Sequence, residues 1–232
     1  MIGMAKAMSD NMLRAFQKQH KNTHNKGRKV ATRRIHLNYL IVCEGERTEP
    51  NYFKALVGGR NSKVIDLRAI GKGQGTCKLV KAAISERDKS PIEYDRVWTV
   101  FDKDDFTDFN EAITMAEANN IGAAWSNESF ELWYYLYFQY VDTPISRTQY
   151  IDALNREIRK YIPNYAYHKE DENTLSILNQ FGNLEQAILR AKKLESRFSN
   201  KNYATYNPCT KVHHLVQELL NPEEVLDKMN VE

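Results

Sequence analysis

From residue 35 onward, apolar stretches of strand length alternate with amphipathic stretches of helix length. Residues 35–43 (IHLNYLIVC) form an apolar run that stops at EGE, a turn-forming break. Pro50 followed by NYFKALV reads as a helix start, because proline is tolerated in a first turn. Residues 63–70 (KVIDLRAI) alternate like a strand, GKGQGT is a glycine-rich turn, and 77–87 has helical spacing. Residues 96–101 (RVWTVF), rich in β-branched and aromatic side chains, predict a third strand ending at DKDD. A helix over 106–118 and a short strand over 121–125 (IGAAW) follow, and SNES then offers N-cap oxygens to a helix over 129–140.

This alternation predicts an α/β fold, a mostly parallel sheet flanked by helices. Beyond Asp142 the strand signal ends, and 146–161, 175–180, 184–199 and 212–220 read as helices. The expected organisation is a basic, flexible N-terminal arm over 1–34, an α/β domain over 35–142 and a helical C-terminal region over 143–232. Within the arm only 12–16 has an amphipathic helical pattern; the stretch after it is polar and basic.

Composition supports a packed core, since 42% of the 232 residues are apolar. No apolar run approaches the roughly 20 residues that span a bilayer, and the N-terminus lacks a signal-peptide pattern. The cytoplasm is the expected compartment, with no membrane partner. Cys43, Cys77 and Cys209 are far apart and unpaired in sequence, so neither a disulfide framework nor a cysteine zinc site is expected.

Charge is unevenly spread. Residues 1–43 carry nine Lys/Arg and one acid, a net +8, whereas the remainder nets −5. Lys26, Arg28, Lys29, Arg33 and Arg34 are the candidates for contact with nucleic-acid phosphates, DNA or RNA. Lys72, in the glycine-rich turn, is a further phosphate candidate, although GKGQGT lacks the GxxxxGK[ST] spacing of a P-loop.

Two predicted strands end in carboxylates. Glu44 stands at the tip of the first, with Glu46 and Glu49 behind it; Asp102 and Asp104 stand at the tip of the third. In an open parallel sheet, sites form at the carboxyl ends of strands where the strand order reverses. Clustered carboxylates repel unless a cation joins them, and Mg²⁺ or Mn²⁺ suits such oxygen ligands. Asp102 and Asp104 flank Lys103, so both can face one ion while Lys103 points away. Glu131 lies within FELWYYLYF, a nearly all-apolar string, and sits either on the solvent face or buried with a partner. His20 and His24 read as exposed side chains; His213 and His214, after NPCTK, read as part of a capped helix start. No nucleophile elbow is present.

Strand–Glu-Gly followed by strand–Asp-x-Asp resembles the Toprim fold. The strings IVCEGERTEPNYFKAL, VFDKDDF, SNESFELWYYLYF and NPCTKVHHLV resemble the RloB family (RloB/AbiLii-like proteins) over about residues 35–220. That resemblance implies a Toprim-type, metal-dependent nuclease acting in bacterial phage defence or abortive infection, often beside an ATPase partner. By matching positions it implies Glu44, Asp102 and Asp104 as catalytic acids and metal ligands. Glu49 falls where other Toprim proteins place a further acid, and the resemblance favours a place for Glu131 at the ion. This chain departs from the family pattern at Glu128 and Tyr137, where SNP and a histidine are common. The other class of function that fits is a non-catalytic subunit that binds nucleic acid or an ATPase on the same scaffold.

Overall fold

The computed structural model describes residues 36–61, 64–73 and 75–229. The predicted arm, with Lys26, Arg28, Lys29, Arg33, Arg34 and the helix read over 12–16, lies outside the described residues.

Each apolar run becomes a strand because neighbouring strands satisfy its backbone while its two faces bury alternate side chains. Strands β1 (Leu37–Cys43), β2 (Ile65–Gly71), β3 (Arg96–Asp102) and β4 (Gly122–Asn127) pair in parallel, in the order β2-β1-β3-β4. In β1, Leu37, Tyr39, Ile41 and Cys43 face one core; Leu40 and Val42 face the other. Helix α1 (Thr48–Arg60) packs on the first face, and α2 (Thr76–Asp88) and α3 (Phe109–Ala118) pack on the second. The predicted α/β architecture is therefore the one observed.

The C-terminal helices extend the first face. They are α4 (Glu131–Tyr135), α5 (Arg147–Arg159), α6 (Thr174–Phe181), α7 (Leu184–Glu195), α8 (Val212–Leu220) and α9 (Pro222–Met229). Helix α8 is tied back to the sheet, because Glu218 accepts from Arg96 Nε and Nη2 and from Trp98 Nε1, all at 2.9 Å.

Two local expectations are corrected. Ser126 and Asn127 are not cap residues but the buried end of β4, where a two-residue antiparallel strand, β5 (Cys209–Thr210), pairs with them. Backbone partners from more than 80 residues away prolong the strand beyond its apolar run. The helix expected over 129–140 is regular only over Glu131–Tyr135; past it, Tyr137 and Phe138 amides bond i−3 carbonyls. Leu132, Trp133, Tyr134, Leu136 and Tyr137 are all buried, so packing on every side governs this segment more than an amphipathic stripe does.

Candidate metal centre

Strand order reverses between β1 and β3, since β2 lies outside β1 and β4 outside β3. This is the topological switch point, where the backbones splay at their carboxyl ends and leave a crevice. Cys43 pairs with Val100, and the Glu44 amide continues the ladder to the Val100 carbonyl at 2.8 Å. Glu44 and Asp102, 58 residues apart, therefore emerge side by side, and the Asp102 amide donates to Glu44 Oε2 at 3.1 Å.

The turn after β1 brings in the next acid. A Cβ on Gly45 would lie 1.9 Å from Glu49 Oε2, so only glycine lets this carboxylate fold back over the turn. Glu49 is 5% exposed, and its Oε2 has no hydrogen-bond partner among the described residues. Glu131, at the start of α4, is 2% exposed and accepts from Tyr167 Oη at 3.4 Å. Gly45, Glu49, Asp102, Glu131 and Lys169 line one cleft of about 220 Å³.

Asp104 completes the group from the other side. Its φ of 31° turns the chain just after β3. Arg147 Nη2 then donates to Asp102 Oδ2 at 3.1 Å and to Asp104 Oδ1 at 2.6 Å, so one cation faces both carboxylates. Lys103 points elsewhere, as expected: its Nζ donates to the Asp104 and Phe106 carbonyls at 3.0 and 3.2 Å.

The electrostatics follow from this crowding. Burial pushes the Glu49 carboxyl up to about 7, and Glu131 and Glu44 add repulsion. Asp102 is raised well above the usual carboxylate range, by burial first and then by Glu49 and Glu131, with Arg147 opposing. Glu44 is also raised by burial, although the Asp102 amide works against it. Arg147 and Lys169 oppose this repulsion, yet Glu44, Glu49 and Asp102 all stay raised. Glu49, Asp102 and Glu131 line the cleft, one Glu49 oxygen has no hydrogen-bond partner among the described residues, and Glu44 and Asp104 adjoin them. These are the residues that could hold a hard divalent cation, and since no three of their ligand atoms lie within 4.8 Å of one another they would have to draw in around it.

Lys72 is not in this cleft set. Its Nζ pairs with Glu86 at 2.5 Å, and the Lys72 and Gly73 amides are taken by the Cys43 and Glu44 carbonyls at 3.0 Å. The glycine-rich turn thus prolongs the β1–β2 pairing, which leaves those two amides no phosphate to bind. Sequence reasoning misses Arg147 and Lys169 at this site. A signal for Arg147 existed: Ser146 and Gln149 form a capping box that starts α5 at Arg147. A cation there opposes the helix dipole, which marks it as held by an anion elsewhere.

A family model described as RloB-like protein matches residues 39–219. No curated protein and no solved structure matches the chain.

Proposed function

Since this chain belongs to the RloB-like family, we propose that it is a metal-dependent nuclease that hydrolyses nucleic-acid phosphodiesters at the β1–β3 switch point. The observation that carries this reading is the crowding of mutually repelling acids there, Asp102 with Glu49, Glu131 and Glu44, and Glu44 with Asp104, while one oxygen of buried Glu49 has no hydrogen-bond partner among the described residues. Glu44, Asp102 and Asp104, with Glu49 and Glu131, would hold Mg²⁺ or Mn²⁺. Bound there, such an ion supplies Lewis-acid stabilisation of phosphoryl oxygens and makes water a better nucleophile.

The chain's own residues supply the rest. Glu49, buried in the cleft with one oxygen free of hydrogen bonds among the described residues, would accept a proton from the attacking water as the water oxygen bonds to phosphorus, unless both its oxygens are taken by the ion. Glu44, also raised, is the second proton-transfer candidate, for the sugar oxygen released as the P–O ester bond breaks. Arg147, half buried and reaching both aspartates, is placed to neutralise a phosphate oxygen. The segment carrying Tyr167 and Lys169 closes the cleft over the β1–α1 turn, where Thr48 Oγ1 donates to the Lys169 carbonyl at 2.7 Å. No described helix is long and apolar enough to cross a membrane. The role in phage defence, the cytoplasmic setting and the ATPase partner that the family resemblance implies belong to the same proposal.

The test is cleavage of labelled single- and double-stranded DNA and RNA by the full chain, with Mg²⁺, Mn²⁺ or chelator, with and without an ATPase partner. Expected is divalent-dependent cleavage that Asp102→Asn removes. Metal binding without cleavage in any arm would leave a non-catalytic scaffold instead.

A further inference from the structure

A second polar cluster lies away from the cleft. The Lys211 amide bonds the Trp125 carbonyl at 2.8 Å, which carries the chain from β5 toward the amino end of β4. Helix α8 starts there, and its first turn brings His213 and His214 against Glu195 in the last turn of α7. One ligand atom from each of these three residues lies within 4.8 Å of the others.

His213 sets the chemistry. It is fully buried, and its Nδ1 lies 3.1 Å from the Thr210 carbonyl, an acceptor that only an N–H can satisfy. A neutral imidazole has one N–H, so Nε2 carries a lone pair. That lone pair is aimed at Glu195 Oε2, 3.0 Å away, yet Nε2 makes no hydrogen bond among the described residues. A lone pair held against a carboxylate oxygen in a closed site is costly unless a cation lies between them. His214 Nε2 approaches the same Oε2 at 2.8 Å, while the far oxygen, Oε1, is taken by Lys211.

We propose that Glu195, His213 and His214 form a transition-metal site that takes Zn²⁺, distinct from the carboxylate cleft. The donor set, two imidazoles and a monodentate carboxylate, is the borderline set that zinc takes, whereas the all-oxygen cleft suits Mg²⁺ or Mn²⁺. The Thr210 carbonyl fixes the His213 tautomer and aims Nε2, the role that backbone acceptors play around zinc histidines. A tetrahedral ion with bonds of about 2.0–2.1 Å holds its ligand atoms roughly 3.4 Å apart. The two separations from Glu195 Oε2, 2.8 and 3.0 Å, need to widen by about half an ångström, and all three ligand atoms already lie within 4.8 Å of one another. His214 is 46% exposed and borders a surface cleft of about 170 Å³, which gives the ion an entry path and a place for a fourth ligand, water. The ion ties the end of α7 to the β5–α8 junction, the segment that closes the sheet edge.

The test titrates metal-stripped full-length chain with Co²⁺ and Zn²⁺, following the visible absorption of tetrahedral Co²⁺, zinc stoichiometry and thermal midpoint. Expected is one Zn²⁺ that displaces Co²⁺ and raises the midpoint, retained in Asp102→Asn. His214→Ala, at a half-exposed position, and Glu195→Gln should each weaken Zn²⁺ beyond the roughly 100-fold that loss of an outer-sphere partner costs. Absence of a tetrahedral Co²⁺ spectrum and of any zinc shift in the unmodified chain overturns the site. So does unchanged zinc affinity in both folded variants. The nuclease reading stands or falls on its own assay, because Asp102 and Glu195 are separately replaced.

Discussion

Glu49 and Glu195 are the same side chain in opposite settings. Glu49 sits among like charges, and burial with repulsion from Glu131 and Glu44 lifts it to about 7. Glu195 sits among cations and imidazoles. Burial works to raise it, but its close contacts with Lys211 and with the His213 and His214 rings outweigh that and hold it well below the usual carboxylate range. The contrast shows how one fold prepares two kinds of ligand. If the cleft holds an ion as proposed, its raised carboxylates must give up protons to accept it, and that binding should be pH-dependent. Glu195 is instead held as the carboxylate before any ion arrives.

The largest effect that separates the regions is expected from Asp102→Asn. It removes the acid that touches Glu44 through its amide and Arg147 through its carboxylate. Mn²⁺ affinity in the cleft, and any cleavage, should fall on the order of 1,000-fold, the scale of losing one charge-stabilising group in a closed site. Co²⁺ bound near His214 should be unaffected. Calorimetry with Mn²⁺ and absorbance with Co²⁺ read the two regions separately, and a parallel loss at both would merge them.

Next in size is the pH response of Glu49. Its folded value, about 7, is above the ordinary glutamate value of about 4.3. The unfolded chain therefore ionises first. The contribution of this group to stability is full below about pH 4 and is lost as pH rises through 7, a change on the order of 4 kcal/mol. Glu49→Gln should remove that slope from the metal-free protein and raise its thermal midpoint at pH 8. Equal pH slopes for the two proteins would show that Glu49 is already compensated, as Glu195 is.

These differences also explain what the sequence made legible. The four parallel strands and the acids at two of their tips follow from local alternation and from the single residue that ends each apolar run. Glu131 stands out because an acid among large apolar side chains demands a reason, and Glu49 stands out through the family resemblance. Arg147 does not, since it is close to Asp102 and Asp104 only after α5 folds back over the sheet. The pairing of Glu195 with His213 and His214 was equally hidden. In the sequence His213 and His214 read as packing and capping at their own helix start, because the partner acid of His213 is 18 residues upstream at the end of another helix. Strand β5 failed for the same reason: two residues carry no period, and their role comes from Ser126 and Asn127.

A smaller effect should come from Arg147→Gln. Its guanidinium is the cation that now faces Asp102 and Asp104, so it competes with a metal for the same oxygens. Removing it should tighten Mn²⁺ about tenfold, the equivalent of one unit in a carboxylate's pKa. The same change should weaken nucleic-acid binding measured by anisotropy, since a phosphate contact is lost. Weaker Mn²⁺ binding would mean that Arg147 orients the aspartates rather than competing for them. Zn²⁺ at His214 should not respond in either case.

The smallest effect calibrates the others. Ser146 caps α5: its Oγ accepts from the Gln149 amide at 3.3 Å, and Gln149 Oε1 accepts from the Ser146 amide at 2.8 Å. Ser146→Ala removes half of this box and should cost about 1 kcal/mol of stability. The cap lies one residue before Arg147 but touches no carboxylate of either region. Buried Tyr150, Leu154 and Ile158 still fix α5 on the core. The thermal midpoint should therefore fall by a few degrees while Mn²⁺ and Zn²⁺ affinities each move less than about threefold, the spread expected of independent sites. A tenfold change in Mn²⁺ affinity alone would show that the aim of Arg147 depends on the cap, and the cleft would then be sensitive to its scaffold in a way the Glu195 cluster is not. Equal shifts at both sites would instead show that loss of folded protein, rather than either local geometry, was being measured.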